Sequence, residues 1–149
     1  MAKLAVGQPA PDFEVQSNKG QIKLSDYKGK KNVVLCFYCG DDTPGCNIQL
    51  SRMRDDYPKF LEKDAEIIGV NPASVGKHEQ YSTKFKFPFP LLADIDKTIC
   101  ESYGVLKMFI RVVSRTVVII DKQGIIRYLQ RGMPSDEDLL KELDTINKQ

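Results

Sequence analysis

The sequence predicts an α/β protein, a three-layer α/β/α sandwich around a central mixed sheet. Three observations carry this. Residues 33–38, Val-Val-Leu-Cys-Phe-Tyr, form an almost continuous apolar run, as expected of a strand buried on both faces. A helical repeat follows, and then a second strand-like run at residues 66–71, so strand, helix and strand make a right-handed crossover unit. Residues 116–121 and 125–130, joined by Lys122-Gln123-Gly124, read as an antiparallel hairpin.

The elements follow in order. Residues 8–13, Gln-Pro-Ala-Pro-Asp-Phe, are an extended lead, and residues 22–25 a short strand running to Tyr27. From Cys46 onward, Leu50, Met53, Tyr57, Phe60 and Leu61 recur at helical spacing. Pro58 cannot donate the backbone hydrogen bond a helix interior needs, so a break is expected near Tyr57. A helix begins near Ser74, a strand occupies residues 88–92, and a short helix over 96–103 is closed by Gly104. A last helix is capped by Ser135, with Asp138 three residues on, and buries Leu139, Leu140, Leu143 and Ile146. This order is that of a thioredoxin-like layout. With no repeat, low-complexity tract or linker, residues 1–149 read as a single domain.

Apolar residues make up 42% of the chain and charged residues 28%, ordinary values for a globular protein. A formal net charge of +2 is too small for a nucleic-acid surface, and Lys28, Lys30 and Lys31 lie in a Gly-containing turn that reads as a solvated loop. Residues 1–7 lack the apolar stretch of a secretory leader, and no run approaches the ~20 apolar residues of a membrane span. The expected compartment is therefore the cytoplasm, where four cysteines do not announce a disulfide framework. Cys36-x-x-Cys39 has no second pair and the only histidine, His78, is remote, so no metal site is expected. His78, near the start of a polar helix, reads as an exposed residue without a role. Tyr81 and Tyr128 read as packing residues.

The chemistry centres on Cys46. The buried strand runs out through Cys39-Gly40-Asp41-Asp42-Thr43-Pro44-Gly45 and reaches Cys46 where the helix begins. A thiol at a helix N-terminus sits beside unpaired N–H groups and the positive end of the helix dipole, which stabilise the reactive thiolate. Thr43, three residues upstream, can set a hydroxyl beside the sulfur or cap the helix.

These residues resemble the peroxiredoxins, in particular the Q-type branch also called bacterioferritin comigratory protein. The family signature is Pro-x-x-x-Thr-x-x-Cys. Thr43 and Cys46 fill its last two positions, and Cys39 occupies the position of the proline. The match continues with Gln49 and Arg54-Asp55, and with Arg115 six residues before Asp121. It covers nearly the whole chain, from residues 6–13 to the final helix. The resemblance implies a thiol-dependent peroxidase acting on hydrogen peroxide and organic hydroperoxides. In it Cys46 is the peroxidatic thiol that becomes a sulfenic acid, Arg115 holds the thiolate and polarises the peroxide, and Thr43 orients it. Backbone N–H groups around Gly45 and Cys46 would stabilise developing charge. It implies a thiol reductant such as thioredoxin or a glutaredoxin-like protein, no metal, haem, flavin or nucleotide cofactor, and a monomer or homodimer.

The chain departs from the family at the resolving thiol. Many Q-type relatives carry one five residues after the peroxidatic cysteine, where Ser51 stands, or on the following helix, where residues 81–83 hold no cysteine. Cys39 and Cys100 are the candidates, Cys36 reads as core, and a mechanism without a resolving thiol is the remaining option. A Cys39–Cys46 disulfide is expected to need local rearrangement.

Two other classes compete. A disulfide oxidoreductase would use Cys36-x-x-Cys39, but strand alternation points these two residues to opposite faces. No proline lies between Pro90 and Pro134, where such enzymes carry one before the hairpin. A non-enzymatic redox sensor or holdase on the same scaffold would use residues 105–110, which otherwise read as a loop folded onto the core.

Overall fold

The computed structural model describes residues 4–149, so the reading of residues 1–7 falls partly outside it. A hairpin of β1 (Glu14–Ser17) and β2 (Gly20–Lys23) leads into a 3₁₀ turn, Leu24–Tyr27, and then β3 (Asn32–Phe37). The crossover follows as α1 (Pro44–Asp55), α2 (Tyr57–Glu62) and β4 (Ala65–Asn71). Next come α3 (Val75–Phe85), β5 (Leu91–Ala93) and α4 (Thr98–Ser102). The hairpin β6 (Thr116–Ile120) and β7 (Ile126–Arg131) precedes α5 (Asp136–Asn147). Among the described residues seven strands form one sheet, ordered β2-β1-β5-β4-β3-β6-β7. β3 pairs parallel with β4 and antiparallel with β6, so the sheet is mixed.

The period of two along the central strands divides the core into two layers. Val34, Cys36 and Tyr38 join Ile67, Val117 and Ile119 beneath α1, α2, α3 and α5. Val33, Leu35 and Phe37 join Ile68, Val70, Val118 and Ile120 beneath α4 and the N-terminal lead. Val34, Leu35 and Phe37 have no exposed surface, and burying each contributes about 1.5–3 kcal/mol. Gly69 of β4 lets the layer of Val34, Cys36 and Tyr38 close: a Cβ there would stand 2.6 Å from Leu91 Cδ2 and 3.2 Å from Tyr38 Cε1. Tyr38 is thereby seated at the exit of β3, where the candidate loop begins.

Several boundaries differ from the expectations. Residues 22–25 are not one strand. β2 ends at Lys23, and the turn after it is fixed by Leu24 N–H donating to Phe13 O and Ser25 N–H to Asp12 Oδ1. The strand expected over 88–92 is confined to Leu91–Ala93, because Pro88 and Pro90 have no N–H for a ladder. The helix expected over 96–103 is shorter, with Asp94 accepting from Ile99 N–H and Cys100 N–H to hold its start. The break near Tyr57 is present: α1 ends at Asp55, and Pro58 is the second residue of α2. Ser135 accepts from Asp138 N–H as the cap of α5, whose Leu139, Leu143 and Ile146 are buried while Leu140 is only partly covered. Among the described residues no helix is long and apolar enough to cross a membrane.

Candidate active site

The loop from Tyr38 to Cys46 joins the central strand to α1. It is anchored at its start, where Tyr38 N–H donates to Val70 O and Asn71 Nδ2 donates to Tyr38 O at 2.9 Å. Asp42 takes a left-handed conformation, φ 56°, which turns the chain back toward the sheet. Its carboxylate accepts from Asn47 Nδ2 at 3.1 Å and Lys84 Nζ at 2.7 Å, and these hydrogen bonds hold its pKa below the usual carboxylate range. Pro44 and Gly45 open α1, so Cys46 is its third residue, in the first turn. Its side chain is fully buried.

The surroundings of that sulfur favour charge. Burial pushes the Cys46 thiol upward. The Thr43 hydroxyl, the Cys39 thiol and the N–H groups of Gly40 and Cys39 together outweigh it, and the pKa falls below the ordinary thiol value. The N–H groups that lower the thiol's pKa belong to the loop that precedes α1. Thr43 caps nothing with its side chain. Its hydroxyl donates to Gly40 O at 3.0 Å, beside the sulfur, where rotation about χ1 exchanges one acceptor for the other.

Arg115 arrives from the segment just before β6, its carbonyl accepting from Gly132 N–H. Nη2 donates to Cys39 Sγ at 3.5 Å, and Nη1 lies 3.8 Å from Met133 Sδ. The guanidinium lies against Gly45, where a Cβ would stand only 2.5 Å from Nη2. Hydrogen bonding to Cys39, with the charge of Cys46 nearby, pushes the Arg115 pKa further up. Cys46, Thr43 and Arg115 are thus brought together, in the grouping that the resemblance implied.

The other cysteines separate clearly. Cys39 is exposed, and its Sγ touches that of Cys46 at 3.2 Å. Cys36 packs in the same core layer as Cys46 and is likewise fully buried, and burial pushes its thiol far up. Cys100 is buried in the opposite layer, across the sheet from Cys46, and burial followed by a hydrogen bond with Asp94 raises its pKa strongly. Cys39 and Cys46 are thus already in contact through their sulfurs, which are both free thiols. Two of the four cysteines therefore face each other at the mouth of the loop.

His78 corrects the sequence reading. It is fully buried, not exposed. Nε2 donates to Leu92 O at 2.9 Å and lies 3.3 Å from Asn71 O, while Nδ1 lies 2.8 Å from Asp41 Oδ2. The Tyr38 hydroxyl completes the cluster by donating to Asp41 Oδ1 at 2.7 Å. The loop is therefore pinned to α3 and β5 through Asp41. A usable signal existed: His78, Tyr81, Ser82 and Phe85 recur at helical spacing, and His78 takes the inward position that the others mark. Tyr81 is a core residue that also borders the site, donating to Asn47 Oδ1 at 2.7 Å. Tyr128 packs against the same core layer.

Beside Arg115 lies a cleft of about 290 Å³ lined by Ile48, Gln49, Arg52, Met133 and Asp136. Gln49 Oε1 and Asp136 Oδ2 are buried there and find no hydrogen-bond partner among the described residues. Burial, and then the neighbouring Asp56 carboxylate, push Asp136 up to about 7. In the segment 105–110, Val105 is buried and Leu106 partly so, while Met108, Phe109 and Ile110 are exposed. Among the described residues no three His, Cys, Asp or Glu side chains gather as a metal site.

A family model described as AhpC/TSA matches residues 6–129. Over 128 residues the chain is 41% identical to Peroxiredoxin Bcp of Bacillus subtilis (strain 168), covering 81% of each protein. The crystal structure of Peroxidoxin BcpB from Mycobacterium tuberculosis matches with a TM-score of 0.89 at 27% identity, over 96% of this chain and 98% of that one. The Xanthomonas campestris bacterioferritin comigratory protein, solved as trapped intermediate and ligand complexes bearing on its alkyl peroxide reduction activity, matches with a TM-score of 0.84. It is 25% identical, over 91% of this chain and 92% of that one.

Proposed function

The chain belongs to the AhpC/TSA family and is a thiol-dependent peroxidase, and from that premise we propose that Cys46 is the thiol that reduces the peroxide. The observation that carries this is the lowered pKa of a fully buried sulfur, held down by Thr43, Cys39 and two loop N–H groups. Burial alone would make the thiol inert.

In this reading the Cys46 thiolate attacks one peroxide oxygen. The O–O bond breaks, the sulfur gives up two electrons and becomes a sulfenic acid, and the second oxygen leaves as water or alcohol after taking a proton. Arg115, permanently charged and offering a planar fork of donors, stabilises the thiolate and then the departing oxygen. Thr43 swings its hydroxyl from Gly40 O toward the sulfur or the peroxide. Cys46 has no exposed surface, so the peroxide arrives as Cys39 and Arg115 give way.

Hydrogen peroxide is the substrate this reading expects, with organic hydroperoxides beside it. The half-exposed apolar side chains of Ile48 and Met133 flank the cleft beside Arg115 and can receive an alkyl group. The reductant is a thiol, with thioredoxin or a glutaredoxin-like protein the family's expectation. The reading further takes residues 1–149 as one domain working in the cytoplasm, as a monomer or homodimer, without nucleic acid, membrane or bound cofactor. A cycle that begins from reduced thiols suits a reducing compartment.

The test is peroxide consumption with a thiol donor, wild type beside Cys46→Ser. Loss of turnover in the variant with its fold intact supports the reading. Equal consumption by both proteins overturns it.

A further inference from the structure

A sulfenic acid at Cys46 must be reduced before the next cycle, and the geometry of the loop bears on how. We propose that Cys39 is the resolving thiol, that it closes a Cys39–Cys46 disulfide without unwinding α1, and that the external dithiol then attacks Cys39. This rests on Cys46 being the peroxide-reducing thiol.

Distance selects Cys39. Its Sγ lies 3.2 Å from Cys46 Sγ, and a disulfide needs about 2 Å, so side-chain rotation of little more than an ångström closes it. The alternatives fail for physical reasons. Cys100 lies in the core layer on the far side of the sheet, its thiol engaged with Asp94. Cys36 is locked in β3 between β4 and β6. Ser51 stands on α1 where a hydroxyl offers no such chemistry.

The step balances. The Cys39 sulfur attacks the Cys46 sulfur, the S–O bond breaks as the S–S bond forms, and hydroxide leaves, taking the Cys39 proton to become water. The oxidation delivered by the peroxide then resides in the disulfide. Reduction has a direction too. Cys39 is exposed and Cys46 is buried, so an incoming thiolate reaches the Cys39 sulfur. That attack expels Cys46, whose lowered pKa makes it the better leaving group. The peroxide-reducing thiolate is thus regenerated in the first exchange, while the mixed disulfide sits at the surface. Arg115, donating to Cys39 at 3.5 Å, stays beside both sulfurs throughout.

Two consequences distinguish this arrangement from one in which a distant cysteine must be brought in. Capture of the sulfenic acid needs no loop opening, so it outpaces a second peroxide. The first turn of α1 keeps its hydrogen bonds in the oxidised protein.

The experiment treats reduced wild-type protein with one equivalent of hydrogen peroxide and maps its thiols by mass. The proposal expects free thiols to fall from four to two, a mass lower by about 2 Da, and a peptide pair linked through Cys39 and Cys46. Cys39→Ser should hold a trappable sulfenic acid at Cys46 and reach the sulfinic acid at a peroxide dose about tenfold lower. A thioredoxin-type reductant carrying only its attacking cysteine should be caught on Cys39. A disulfide from Cys46 to Cys100 or to a second molecule overturns the proposal, as does a stable sulfenic acid with Cys39 still open to alkylation. A trap found on Cys46 overturns its second half. Peroxide consumption that survives Cys46→Ser at the wild-type rate overturns the reading beneath it.

Discussion

Replacing Gly45 with alanine separates the site's chemistry from the protein's stability. Gly45 is helical, so alanine is compatible with its backbone and gains about 0.5–1 kcal/mol over glycine in helix propensity. The added Cβ, however, would stand 2.5 Å from Arg115 Nη2, 3.1 Å from Cζ and 3.2 Å from Nη1. Ordinary contact begins at about 3.4 Å, so the guanidinium must retreat by roughly 0.9 Å. It is the free end of a flexible side chain and can do so without disturbing the backbone. For a charge pair starting at about 4 Å in an effective dielectric of about 20, moving to about 5 Å forfeits about 0.8 kcal/mol, or about 0.6 pKa unit at Cys46. Misalignment with the departing oxygen adds to this, and a displacement near 1 Å costs up to about 100-fold in rate. The prediction is a Tm unchanged or a few degrees higher, a raised thiolate pKa by ultraviolet titration, and single-turnover peroxide reduction slowed by roughly 10–100-fold. Wild-type rate and thiolate pKa in a folded Gly45→Ala protein would refute the role given to Arg115. A large fall in Tm would refute the packing on which the argument stands.

Three further outcomes follow from the same geometry. Thr43→Val should raise the Cys46 pKa and slow peroxide reduction by about tenfold, with little change in Tm, while Thr43→Ser restores the rate; stopped-flow measurement against pH checks both. His78→Leu strands Asp41 beside the Tyr38 hydroxyl and should cost about 2–4 kcal/mol in urea unfolding, with a Cys46 titration displaced as the loop loosens. Asp136 is the pH-dependent case. Its folded pKa of about 7 lies above the unfolded carboxylate value of about 3.9, so the folded state holds the extra proton between the two. Its contribution to stability is therefore complete below about pH 4 and lost as pH rises through about 7. Asp136→Asn should flatten the fall in Tm between pH 5 and 8 and raise Tm at the alkaline end, as calorimetry would read.

Much of this arrangement was legible in the sequence because it is written in local patterns. The unbroken apolar runs of β3 and β6 and the Ser135 cap each depend on neighbours a few residues away. The start of α1 at Pro44-Gly45-Cys46 is equally local, and it placed Cys46 in the first turn of that helix. The β1–β2 hairpin was harder to see. Its strands are four residues long, and Glu14, Gln16, Gln21 and Lys23 leave little apolar alternation to detect. The role of His78 depends on partners from β4, β5 and the loop, which no short window contains. The turn at Asp42 was equally hidden, since its left-handed φ belongs to a residue that carries no glycine-like signal.

The most direct test of the central claim is to locate the oxygen. Reduced Cys39→Ser protein is mixed with one equivalent of hydrogen peroxide, the sulfenic acid is trapped with a carbon-acid reagent, and the adduct is mapped by tandem mass spectrometry. The account predicts a single adduct, at Cys46. An adduct on Cys36 or Cys100, or peroxide consumed with Cys46 left unmodified, would contradict it.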